Sequence, residues 1–459
     1  MHKWSPLVAV CLGTFLLLVD VTVVVVALPD IAASLGAGAG ELQWILDGYA
    51  LALAALLLGA GSLADRYGRR RAYGIGLLIF GVSSLICALA PDAATLIGAR
   101  IVQGIGGAAM YATTAALLNV TYQGRDRGVA FGVWGAVNGA AAAAGPIAGG
   151  LLTEHLGWHW IFLVNLPICA AAAWFTYRGV VESRAPRAGR FDVPGTVAFT
   201  VGAGALTYGL ISASVSGWSA GVTIGSITAG LIGFIVFMVV ERRSDHPMLD
   251  LGLFRRPAFA SLIAAAFLTQ AAAFAVMPYT TVWLQRILGH GPVDAGLLGA
   301  LPMSLASLVV GVFAGRALQG RPARWTVGVG LLLVAAGDLL QTRVDSSSGG
   351  GVLIPGLVLV GLGVGMVLPT MSSAILDEVP KERSGMAGGA MNAFRQLGFA
   401  FGVAVLGTVF GSAYGSGSFV DGLDTALLIA AGLALVGAVV VLVFARHKEQ
   451  AAAVAGVAG

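Results

Sequence analysis

Charge is what this sequence has least of. Only 10% of its 459 residues are Asp, Glu, Lys or Arg, where soluble domains carry about 25%. With 58% hydrophobic residues besides, the chain cannot clothe a water-facing globule, which excludes an ordinary soluble protein. Cysteine is scarce as well. Cys11, Cys87 and Cys169 all fall inside apolar runs, so there is no disulfide framework and no metal-ligand spacing. Also missing are a glycine-rich phosphate loop after a strand, an HExxH pair and a nucleophile motif. ATP drive and enzymatic catalysis therefore lack support, and no cofactor is expected. The net charge of +4 is no nucleic-acid footprint, because the basic residues sit in short loops on one face.

What the sequence has in abundance is long apolar runs. Fourteen reach membrane length, near 6–29, 43–63, 72–90, 94–118, 128–152, 159–177, 193–213, 220–240, 257–281, 293–315, 325–341, 351–376, 385–410 and 423–445. Glycine supplies 67 residues, about twice its usual share, and small residues let membrane helices approach closely. The first run, Pro6 to Leu28, follows Lys3 as a signal peptide would. It is too long for one and carries Asp20, so it is expected to stay as a first span.

The densest basic turn, Gly61 to Arg71, joins the second and third runs. Such turns remain cytoplasmic. With that side fixed and the others alternating, all but four of the 26 Lys and Arg fall in the cytoplasm; Arg286 and Arg343 lie outside, and Arg100 and Arg395 lie within spans. An even number of spans with both termini cytoplasmic is expected. The Arg-rich, Ala/Gly-heavy composition suits a GC-rich bacterial genome, hence the bacterial cytoplasmic membrane.

Weak internal repeats divide the chain. Gly61-x-x-Ala64-Asp65-Arg66 returns as Gly311-x-x-Ala314-Gly315-Arg316, Arg125-Asp126-Arg127 as Lys381-Glu382-Arg383, and Gly135-x-x-Asn138 as Gly389-x-x-Asn392. Runs one to six thus pair with nine to fourteen. The expected architecture is all-α, with a six-span half over 1–178, an inserted two-span hairpin with its flanking loops over 179–245, and a second half with a short cytoplasmic tail over 246–459. Two such halves around a midplane site are the design of rocking transporters.

Several polar residues stand out against this background. Asp20 lies about 20 Å into its helix at 1.5 Å per residue, where a carboxylate is costly unless paired, hydrated or protonated. It can carry a proton across, attract a cationic substrate, or act as a structural acid. Asp47 lies one turn inside the outer end of the second run and is either a second such acid or a hydrated interfacial one. Arg100, Gln103, Gly107 and Thr114 share a helical face unsuited to lipid, and Arg100 must find a carboxylate or carbonyls. Asn392, Arg395, Gln396 and Phe399 form a similar face in the thirteenth run, as cavity lining or as packing. Asp65, Arg66 and Arg69 sit at helix ends, where they can latch opposing helix termini or merely set topology. Gly145-Pro146 breaks the hydrogen-bond ladder of the fifth run. Gln270, Phe274, Met277 and Thr281 share one face of the ninth, suited to lipophilic molecules or to plain packing. Asp338 is expected at the membrane interface.

The motif Gly61-x-Leu63-Ala64-Asp65-Arg66-x-Gly68-Arg69-Arg70-Arg71 resembles the signature loop between spans two and three of the major facilitator superfamily. Further matches are Leu18-Val-Asp20 through Pro29, Arg100-x-x-Gln103-Gly104-x-Gly106-Gly107, Gly145-Pro146-x-x-Gly149-Gly150, Trp158 through Pro167, and Asn392-x-x-Arg395-Gln396-x-Gly398. In this order they resemble the fourteen-span drug:proton antiporter branch. The resemblance implies that Arg100 tunes the proton-binding acid, that Asp47 is a second substrate or proton carboxylate, and that Gly145-Pro146 is a hinge or seal against leakage. Gly315 stands where an acid is expected, implying a weaker second latch.

The function expected is export of lipophilic or cationic drugs and antibiotics in exchange for protons, by a single chain in the bilayer. Alternatives are a dedicated exporter of one self-made metabolite and a lipid or glycolipid flippase.

Overall fold

The computed structural model describes residues 2–184, 192–245, 247–317, 321–344, 348–415 and 419–445. Arg187, Arg190, Arg446, Lys448 and the expected tail lie outside the described residues, as do the side chains of Gly315 and Arg316.

Helices follow the apolar runs. Spans one to five are Ser5–Leu35, Ala39–Tyr67, Arg69–Ala88, Ala93–Thr121 and Gly124–Leu156. Span six is Trp160–Leu163 followed by Asn165–Gly179, and the inserted spans seven and eight are Val193–Ser216 and Gly221–Arg243. Span nine starts as Pro257–Thr269 and ends as Met277–Val282, and span ten is Pro292–Gly299 with Leu301–Ala317. Spans eleven to fourteen are Ala323–Gln341, Ile354–Asp377, Ser384–Gly415 and Phe419–Phe444. Twelve spans are long and apolar enough individually to cross a bilayer, and spans five and ten, each bent by more than 40°, bring the number to fourteen. The chain is a multi-pass membrane protein.

Prolines explain the breaks. Pro167 has no N–H to offer the carbonyl of Leu163, and span six divides there. Pro278 likewise fails Phe274, and span nine answers with a π-turn over Gln270–Phe274, in which the Ala275 amide reaches Gln270 O at 3.2 Å. A second π-turn covers Trp283–Ile287. Span nine is therefore no regular helix, and the single face expected for Gln270, Phe274, Met277 and Thr281 is not continuous.

Helix ends on the basic face are tied by side chains. Glu182 accepts from the first-turn amides of Arg70 (3.0 Å) and Arg71 (3.2 Å), and its carboxyl occupies the space that a Cβ on Gly68 would need. Gly68 holds φ 115°, a conformation costly for other residues, so the turn between spans two and three depends on it. Tyr122 receives the Leu7 amide at 3.1 Å and donates to Lys3 O at 3.0 Å. Burial pushes its hydroxyl up to about 12, which keeps the donating proton in place.

Spans one to six form one bundle and nine to fourteen another. They meet along spans two, four and five of the first and ten, twelve and thirteen of the second. Spans seven and eight pack on each other, and seven lies along both two and thirteen. There Trp44 stacks on Tyr208 with centroids 5.8 Å apart, and Trp218 donates to Thr408. Span eight turns Val222, Ile224, Leu231, Ile232 and Ile235 outward, as a lipid-facing helix does.

Glycine permits the closest crossings. A Cβ on Gly106 of span four would lie 2.8 Å from the Phe80 nitrogen and 2.9 Å from Gly76 O of span three. Backbone cannot yield as a flexible side chain does. Overpacking of this kind costs about 1–3 kcal/mol, so Gly106→Val is expected to lower the thermal unfolding midpoint in detergent, while Gly98→Val, with open space around it, leaves it unchanged.

Candidate functional site

Two polar arrangements interrupt the apolar interior: one within the first bundle, one where the bundles meet on the basic face.

The first is centred on Asp20 in span one, fully buried, with Arg100 of span four only 1% exposed. Arg100 Nη1 pairs with Asp20 Oδ2, its Nε donates to Ile45 O at 3.1 Å, and Nη1 also reaches Gln103 Oε1 at 2.6 Å. Asp20 Oδ1 accepts from Gln103 Nε2 at 2.9 Å and from Asn165 Nδ2 at 3.1 Å. Ser84 Oγ of span three closes the ring by accepting from both amides, at 2.9 Å and 3.3 Å. The guanidinium lies over the Tyr49 ring, 4.4 Å from its centroid. Every side chain that meets Asp20 donates to it, an environment built for a carboxylate. The pair is excluded from solvent, so removing one partner leaves a charge that costs about 3–5 kcal/mol.

Helix geometry explains the convergence. Arg100 and Gln103 lie three residues apart and share a face. Asn165 opens the second part of span six just where Pro167 breaks it. The sequence alone places Asn165 and Ser84 in motif and span without assigning either to the acid. Asp47, half-buried, shares a hydrogen bond with Gln43 and takes no part in this network. Asp338, three residues from the end of span eleven, is not hydrated as an interfacial acid would be: it is 0% exposed, on the Leu331, Val334 and Ala335 face, and among the described residues neither carboxylate oxygen has a partner.

The second arrangement joins the bundles. Asp65 Oδ1 accepts from the Gly385 amide at 2.9 Å and Oδ2 from the Met386 amide at 2.8 Å. An acid of span two thus caps the N-terminus of span thirteen, satisfying orphan amides and opposing the helix dipole. Arg69 Nε donates to Asp65 Oδ1 at 2.8 Å, and its Nη2 reaches the carbonyls of Lys381 (2.9 Å) and Glu382 (3.0 Å). Gly61 and Gly389 allow the approach, since a Cβ on Gly389 would lie 2.8 Å from Leu57 O. Arg66 lies over the Tyr67 ring at 5.4 Å. Two further ties escape sequence reasoning. Asn119 donates to Ser384 at 3.1 Å, and Arg127 pairs with Asp377 at 2.6 Å and donates to Ser373 O at 3.0 Å. In this conformation the basic face is shut.

Between these arrangements, Asn392 donates to Tyr111 O at 3.0 Å, and Arg395 lies over the Tyr111 ring at 5.7 Å with a long 3.4 Å bond to Asn392. Gln270, Phe274, Met277 and Gln396 are half-buried, and Gln270 Oε1 is without a partner among the described residues. Gly145 abuts Thr22, two residues beyond Asp20, and Pro146 Cβ would meet a Cβ on Gly296 of span ten at 3.3 Å. The Gly-Pro step thus lies between its own bundle and the opposite one.

The sequence matches the family model described as Major Facilitator Superfamily over residues 10–403. The chain belongs to that superfamily. Among major facilitator relatives it is 39% identical over 404 residues to the multidrug resistance protein Stp of Mycobacterium tuberculosis (strain CDC 1551 / Oshkosh), covering 88% of this chain and 75% of Stp. It is 36% identical to the puromycin resistance protein pur8 of Streptomyces alboniger, covering 98% of this chain and 93% of the relative. The human organic anion transporter MFSD10 superposes with a TM-score of 0.68 at 18% identity, covering 96% of this chain and all of that one, and so supports the major facilitator fold.

The bonds of Asp65 exist only while spans two and thirteen touch, so they bias the conformational equilibrium. Hydrogen bonds to a charged group contribute about 1.5–3 kcal/mol each. Asp65→Asn should therefore shift the equilibrium toward a parted basic face by on the order of tenfold or more. Spin labels at Tyr67→Cys and Lys381→Cys report this as a second, longer distance population; an unchanged distribution refutes the latch.

Proposed function

We propose that this chain is a proton-coupled antiporter exporting lipophilic or cationic drugs and antibiotics across the bacterial cytoplasmic membrane. The observation that carries the reading is the buried Asp20–Arg100 pair, an ionisable couple deep in an apolar bundle, where such groups are functional by default. The names of the two resistance relatives support drugs as the cargo. The basic loops support a cytoplasmic latch face and cytoplasmic termini.

With that face latched, the cycle loads Asp20 from the outer side. A proton on Asp20 cancels the charge that holds Arg100, whose remaining partners are Ile45 O, Gln103 and the Tyr49 ring. Thr22 lies beside Gly145, so a shift of span one is felt at the Gly-Pro step of span five. That step and the Asp65 latch are the moving parts of the cycle. Proton binding outside releases drug, the halves reorient, and the proton leaves inside as Arg100 regains its carboxylate. Asp47 is a second acid on the outer approach. Gln103, Gln270, Phe274, Met277, Asn392, Arg395 and Gln396 line the drug path. Each entering proton supplies ~2.3 kcal/mol per 100 mV and ~1.4 kcal/mol per pH unit, enough to drive export tens- to thousands-fold uphill.

A dedicated exporter of one self-made antibiotic is a second reading, supported by the near-complete alignment with a relative named for puromycin alone.

Inside-out vesicles with an imposed proton gradient test both. Lipophilic cations and puromycin are each expected to trigger proton release in wild type and none in Asp20→Asn. Release with puromycin alone favours the dedicated exporter, and undiminished release in Asp20→Asn removes Asp20 from the coupling path.

A further inference from the structure

Asp338 is the one acid of the second bundle's spans that is 0% exposed, and both its oxygens are unpartnered among the described residues. The first bundle shows what its place means. Gly74-x-Gly76-Leu77-Leu78 of span three matches Gly328-x-Gly330-Leu331-Leu332 of span eleven. The glycines do the same work: a Cβ on Gly76 would meet Gly106 O at 2.8 Å, and one on Gly330 would meet Gly363 O at 2.9 Å. In that register Asp338 stands where Ser84 stands and Gln341 where Cys87 stands. Ser84 belongs to the shell of Asp20, so Asp338 occupies the second bundle's counterpart of that polar centre.

The chemistry there is reversed. The first centre supplies donors to a carboxylate. The open valence nearest Asp338 in sequence is also an acceptor, Gln341 Oε1 one helical turn away; Gln270 Oε1, on the π-turn packed against span eleven, and Asp424 Oδ1, on span fourteen, are further unpartnered acceptors on the packed elements. No Lys or Arg occurs in 257–274, Ile354–Asp377 or Phe419–Phe444, the stretches of spans nine, twelve and fourteen that surround it. The charged and titratable groups on the packed elements are few. Asp421 and Asp424 lie toward the same end of span fourteen, Asp377 at the far end of span twelve, His290 beside Gly350, and Arg324 and Arg343 at the two ends of span eleven. The contacts of Gly328 with Leu442 and of Gly437 with Leu331 put Asp338 level with about Ala430, some ~9 Å short of Asp424 at 1.5 Å per residue. An ion without a partner cannot persist in such a place. The neutral acid can, and its O–H is a donor of the kind that the orphaned Gln341 oxygen lacks.

We propose that Asp338, with Gln341, is a second proton-binding site, seated in the C-terminal bundle. It rests on the antiport reading for its consequence: with Asp20, two protons enter per cycle, so export of a singly charged drug moves net charge inward and is driven by membrane potential.

Infrared difference spectra of the purified full chain between acidic and alkaline pH test the site without reference to transport. Wild type is expected to show a protonated-carboxyl band lost at alkaline pH. The band is absent in Asp338→Asn and in Asp338→Ser, which restores the residue of the first bundle, and is kept in Asp20→Asn. In vesicles, Asp338→Asn is expected to halve the protons released per tetraphenylphosphonium exported. Difference spectra unchanged by both Asp338 variants overturn the proposal, as does a band that responds to sodium instead of pH. An Asp338 band in a chain that shows no drug-coupled proton release leaves the site standing and removes the antiport reading instead.

Discussion

Burying a charge in hydrocarbon is the constraint around which this molecule is arranged. Asp20 and Arg100 are each intolerable alone at their depth, and together they fix how spans one and four must face each other. Their leftover hydrogen-bonding capacity then recruits Gln103, Asn165 and a backbone carbonyl of span two, and the two amides in turn recruit Ser84. Three direct commitments and one indirect follow from one pair. The Pro167 break in span six matters in this light, because it sets Asn165 at a helix start from which its amide reaches inward.

The basic face uses the same physics with backbone in place of side chains. Helix starts have amides without partners, and this chain answers them with acids borrowed from elsewhere in sequence. Glu182 serves span three, and Asp65 serves span thirteen. The first is internal to one bundle. The second crosses the joint, so it holds only while the two bundles stay in contact there. One chemical device thus ties a helix start within a bundle in one place and between bundles in another, and only the location of the helix it caps decides which.

Most of the architecture is readable in the sequence because the bilayer leaves a chain so few options. Apolar runs of sufficient length become helices, basic loops set sidedness, and repeated motifs mark the halves. Side chains that act at a distance are harder to read. That Asp65 meets an opposing helix end is legible from its own position at one, but its partners there are backbone amides 320 and 321 residues away, and amides carry no sequence signature. Arg127 and Asp377 are ordinary loop-side charges until folding brings them together. Span nine misleads because helical periodicity assumes a regular ladder, which Pro278 interrupts. Asp338 misleads for a related reason: its distance from the end of the run suggests hydration, while the helix face it occupies points into the bundle.

The inserted hairpin makes the two flanks of the molecule unlike. Span seven is laid over the line where spans two and thirteen meet, and the line where spans five and ten meet carries no such cover among the described residues. Two matching halves alone would present two equivalent flanks to the lipid. Here one flank is covered by a helix that touches both leaves, so any change in the angle between the leaves has to shear span seven against at least one of them.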